Sequence, residues 1–123
     1  MIEIKISDDA AINLLVERMN YEYKLRVKHN LIHDSGKLEN LDYKDLLNIA
    51  ETAAFDLVFL LPVEAHVQES NLKDILVKSF RSLAKIYKCH EFNSYSSKNV
   101  KTLLKPINHT FKLVGDENSY KYN

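Results

Sequence analysis

The chain has 123 residues, of which 46% are apolar or aromatic and 28% charged, with 17 bases against 17 acids. That apolar share excludes intrinsic disorder, and the length suffices for one hydrophobic core. Two Gly and two Pro are too few for the turns of an all-β fold, and a single Cys excludes an internal disulfide or a Cys-rich zinc site.

The opening MIEIKISDDAA alternates charge without a long apolar run, so no signal peptide is expected. Ile2, Ile4 and Ile6 alternate with Glu3 and Lys5, the pattern of a short half-buried strand over 2–6. Ser7 or Asp8 then caps a first helix whose apolar stripe is Ile12, Leu15, Val16, Met19, Tyr23 and Val27, running to about residue 33. In the second helix Asp42 accepts the backbone N–H of Asp45, and Leu41 and Leu46 stand where a hydrophobic staple forms. Residues 42–61 make a central helix, apolar around most of its surface, that ends ahead of Pro62. The stretch AAFDLVFLLPV, 53–63, is too short to span a bilayer and carries Asp56, so neither a membrane partner nor a membrane location is expected. Asn48, Thr52 and Asp56 form a polar line along this helix, expected to meet solvent or a hydrogen-bond partner at the edge of the bundle.

Ser70 or Asn71 opens a third helix buried through Leu72, Ile75, Leu76, Phe80, Leu83 and Tyr87. A polar loop, NSYSS at 93–97, leads to a shorter helix capped by Ser97 and carrying Val100, Leu103 and Leu104. Alternation returns at 110–114 and 119–122, where a hairpin can pair with the first strand. The expected fold is a single α+β domain over 1–123, predominantly α-helical, with about four helices and a small terminal sheet.

Charge is unevenly placed. Residues 1–62 hold 7 bases and 11 acids, residues 63–123 hold 10 bases and 6 acids, and residues 70–112 hold 9 bases with only Asp74 and Glu91 as acids. Lys78, Arg81, Lys85 and Lys88 share one face of the third helix, and Lys98, Lys101 and Lys105 repeat the spacing on the next. Ordinary solvated helices mix both signs. Acid-poor faces with Tyr95, Phe92 and His90 between them suit an anionic partner, with cations for phosphates and rings for bases. The first expectation is therefore a small non-enzymatic, cytoplasmic binding or accessory protein that holds nucleic acid or an acidic protein. Fourteen Lys against three Arg, and eleven Asn, match AT-rich coding as in some bacteria, phages and mobile elements, where an inhibitor of this size is at home.

KHNLIHDSGKLEN, 28–40, supports a second expectation. On a helix reaching past Ile32, His29 and His33 stand one turn apart and can share a divalent metal with Asp34, as in a metal-dependent hydrolase or nuclease. HDSGK resembles the HD motif of the HD-type metal phosphohydrolases over about five residues. That family's first metal-binding His has no counterpart before His29, so the family is not carried over. Arg26 and His33, six residues apart in between, resemble the Arg-x(4–6)-His pattern of the HEPN ribonucleases, with Val27 in place of the usual polar residue. The competing account is a helix end, where Lys28, His29, His33 and Lys37 complement the terminal dipole and Gly36 takes the left-handed turn. Asp34 fits that account poorly unless it pairs with Lys37 or His33. A third expectation is a domain that works as a homo-oligomer, its acidic and basic halves meeting head to tail. Cys89 beside His90 does not form a catalytic pair, since adjacent helical residues point about 100° apart. No phosphate-binding Gly-rich loop, nucleophile elbow or HExxH is present, and no cofactor is expected.

Overall fold

The structure is a computed structural model that describes residues 8–59 and 69–105. These form α1 (Asp8–Lys28), α2 (Tyr43–Phe59), α3 (Glu69–Ile86) and α4 (97–105), with 3-10 turns at Leu38–Asn40 and His90–Ser94. The protein is predominantly helical, and no strand occurs among the described residues. The strands expected at 2–6, 110–114 and 119–122 lie outside them. No helix among the described residues is long and apolar enough to cross a membrane.

One hydrophobic cluster draws on every helix. Leu15, Met19 and Tyr23 come from α1, Ile49, Ala50, Ala53 and Ala54 from α2, Phe80 and Leu83 from α3, and Val100 and Leu104 from α4. The i, i+3, i+4 spacing puts these side chains on single faces, which is why the helices bury one side each. α1 packs against both α2 and α3, so it shares the central position expected for α2 alone.

The start of α2 follows its sequence signal. Asp42 Oδ1 accepts the Asp45 N–H at 2.9 Å, and the Asp42 carbonyl accepts the first helical bond from Leu46. Leu46 is buried, with Leu41 packed on the same cluster. At α4 the cap is Ser96 rather than Ser97. Its carbonyl accepts the Val100 N–H, while Asn99 Oδ1 receives both the N–H and the hydroxyl of Ser96.

A polar seam runs along the antiparallel pair α1 and α2. Arg18 donates to Asp56 at 3.1 Å, and Arg26 donates to Asn48 and Thr52. Glu22 sits between the two guanidinium groups, 3.8 Å from Arg18 and 3.9 Å from Arg26. Burial, followed by the hydrogen bond and charge of Asp56, raises the Glu22 pKa against the pull of the two arginines. The polar line of α2 thus faces α1, and Asp56 has the donor that a half-buried carboxylate needs.

Candidate anion-binding site

The histidine–aspartate stretch is a helix end, and it comes earlier than the sequence suggests. α1 stops at Lys28 because Asn30 adopts a left-handed φ of +58°. The Leu31 N–H then reaches back to the Arg26 carbonyl (2.8 Å) and the Asn30 N–H to that of Val27 (3.1 Å). This is a Schellman motif, with Asn30 in the place usually held by Gly. His29 and His33 are therefore not one turn apart on a helix, and both are exposed. Gly36 is left-handed too, at +83°, but it belongs to a separate turn.

That turn also explains Asp34. Its Oδ1 accepts the Gly36 N–H at 3.0 Å and the Tyr23 hydroxyl at 3.3 Å, closing an Asx turn. The Tyr23 hydroxyl also accepts the Ser35 N–H at 2.9 Å, pinning the turn to α1. Neither Lys37 nor His33 is the partner. Among the described residues no three His, Cys, Asp or Glu are placed to hold a metal ion together, so the metal set His29, His33 and Asp34 lacks the geometry that motivated it. Arg26, the other half of the ribonuclease-like pattern, is turned into the α1–α2 seam.

The basic face of α3 has more substance. Arg81, Lys85 and Lys88 are exposed, and with Ser82, Ala84, His90 and Asn93 they line an open depression of about 560 Å³. No carboxylate lines it, and among the described residues no acid pairs with Arg81, Lys85 or Lys88. Lys78 is exposed but has an interaction of its own. Lys98, Lys101 and Lys105 are exposed on α4, opposite buried Val100 and Leu104, and do not line the depression. The site is therefore narrower than a face of seven cations.

Two of its cations are placed by specific backbone features. Arg81 Nε donates to the Tyr95 carbonyl at 2.8 Å, which fixes the plane of the guanidinium. Lys88 lies just past the end of α3 with a φ of +54°, and the Cys89 N–H reaches back to the Ala84 carbonyl at 2.9 Å. This is the same helix-closing geometry as at Asn30, built on a residue that resists it. Lys88→Gly is accordingly expected to stabilise the fold by about 0.5–1 kcal/mol, measured by urea denaturation.

No family model matches the chain, and no curated protein or solved structure matches it. The site is thus read from its own geometry.

Tyr95 is not part of the site surface. It is 2% exposed, its ring stacks on Phe80 with centroids 4.1 Å apart, and its hydroxyl donates to Glu51 at 3.0 Å. Burial, then the Glu51 charge and hydrogen bond, raises its pKa. Phe92 is fully buried, meeting Tyr43 edge to face at 5.0 Å. The segment read as a polar loop, 93–97, overlaps the 3-10 turn His90–Ser94 at its first two residues and the start of α4 at its last, and it turns Tyr95 inward. Its signal was the three-residue spacing of Phe92 and Tyr95, the period of that helix type. Within the turn, the Cys89 thiol donates to Glu91 at 3.3 Å. Burial raises the thiol pKa, and the neighbouring carboxylate raises it further, which keeps the sulfur protonated and a poor nucleophile.

Proposed function

We propose that the chain is a small non-enzymatic binding protein that holds an anionic macromolecule against the C-terminal half of α3. The observation that carries this reading is the depression itself, where Arg81, Lys85 and Lys88 converge with no carboxylate in its lining. Basic residues near a helix C-terminus also complement its dipole. That effect accounts for Lys85 and Lys88 singly, but not for a depression lined by three cations and no carboxylate, with Glu91 beside it 3.5 Å from His90.

Heparin retention tests it with a defined polyanion. Wild type is expected to elute at clearly higher salt than Lys85→Glu/Lys88→Glu, with matching circular dichroism, since both positions are exposed. Equal elution of the two would remove the α3 site from any binding role. Arg81 stays unchanged in this test because its bond to Tyr95 also holds the turn.

A further inference from the structure

Resting on that reading, we infer that Arg81, Lys85 and Lys88 form a phosphate clamp for the backbone of double-stranded nucleic acid. Three observations select this partner among polyanions.

The first is the state of Arg81. Its Nε is engaged by the Tyr95 carbonyl, and no described group takes its two terminal nitrogens. A guanidinium held by its inner nitrogen has fewer orientations for its outer pair, and Arg81 lines the depression. Two parallel N–H bonds to one anionic oxygen pair are the geometry in which Arg exceeds Lys. In a chain with fourteen Lys, the first cation of the site is one of three Arg.

The second is the scarcity of rings, since the lining holds one, the exposed imidazole of His90. Single-stranded nucleic acid is held by bases stacked on aromatic side chains. Phe92 and Tyr95, the aromatics of this segment, are both buried in the core. Three cations beside a single imidazole fit a duplex, whose bases are already stacked on one another and whose outside is phosphate, better than a strand that needs a series of stacking rings.

The third is the floor. An acidic protein partner needs an apolar or aromatic anchor seated in a pocket to supply most of its affinity. Here the uncharged side chains of the lining are Ser82, Ala84, Asn93 and neutral His90, and Ala84, the one aliphatic among them, is only 9% exposed. Arg81 and Lys85 stand one helical turn apart, about 6 Å along the axis. Lys88 follows at the helix end. A row of cations with no large aliphatic side chain among them matches a regular polymer of phosphates, which positions a protein without reading sequence.

Fluorescence anisotropy with a labelled 20-base-pair duplex, its single strand, and a poly-glutamate peptide, over a range of salt, tests the clamp. The duplex is expected to bind most tightly, with a log affinity against log salt slope of about −3 for three phosphate contacts. Lys85→Gln and Lys88→Gln should each weaken it and make the slope shallower by about 1. Arg81→Lys, with its fold checked by circular dichroism, should keep the slope and lose roughly tenfold in affinity, because one ammonium cannot replace the fork. Tighter binding of the single strand or of poly-glutamate overturns the duplex assignment while leaving a polyanion site in place. Binding of none of the three removes both readings. An Arg81→Lys protein indistinguishable from wild type, or unchanged slopes in both Lys→Gln variants, would show that these side chains do not hold phosphate.

Discussion

Phe80→Ala is expected to destabilise the protein by about 3–5 kcal/mol, the usual cost of deleting a large ring from a closed core. Phe80 is fully buried, and its ring lies against that of Tyr95 with 23° between the planes. Tyr95 is in turn fixed at both ends, its hydroxyl on Glu51 and its carbonyl on Arg81. Neighbours held this way cannot collapse into the space, so the cavity term is retained in full. A domain of this size has about 5–15 kcal/mol in total, so the variant should be largely unfolded at moderate urea. Tyr21→Ala, at a half-exposed ring on α1 that packs under Arg18, is the contrast and should cost no more than about 1 kcal/mol. Equal midpoints for the two variants would refute the packing described.

The second large effect is alkaline. Tyr87 is 7% exposed, its hydroxyl has no hydrogen-bond partner among the described residues, and burial pushes its pKa up to about 12. An unfolded tyrosine ionises near 10. Below pH 10 both states keep the proton, and this group adds no pH dependence. Between 10 and 12 the unfolded chain releases a proton that the folded chain holds, so stability falls as pH rises through that window. The share due to Tyr87 is roughly 2 kcal/mol by pH 12. Tyr87→Phe should lose less stability than wild type over the same window, measured by urea denaturation at each pH. It should also be as stable as wild type or more so at pH 7, since it removes a buried hydroxyl that bonds to nothing. A large loss at pH 7 would mean that the hydroxyl has a role in the fold.

The sequence carried the parts of this structure that depend on near neighbours. Asp42, Leu41 and Leu46 announced a helix start because capping is settled within five residues. The buried faces of α1 and α3 followed from helical period, and so did the exposure of Lys85 and Lys98. What it did not carry depends on which of two local options wins. Asn30 and Gly36 can both take a left-handed turn, and Gly is the more frequent choice. The chain uses both, and the first ends α1, which separates His29 from His33. Tyr95 stood among Asn and Ser residues and read as surface, yet a ring able to stack on Phe80 gains more inside than outside. The hydrogen-bond acceptors of the three arginines lie 14 to 38 residues away in the chain, beyond the reach of any local pattern. Arg81 accordingly belonged to the expected site, while the bond that aims it became visible only in three dimensions.

The seam between α1 and α2 acts as a ruler. In the observed alignment Arg18 meets Asp56, and Arg26 meets Asn48 and Thr52. Sliding α2 by one turn in one direction would set Arg26 against Lys44. Sliding it the other way would carry Arg18 past Asp56. Ala50, Ala53 and Ala54 are small and alike, so these polar contacts join the larger Leu46, Ile49 and Val58 in fixing where the two cylinders stop along each other.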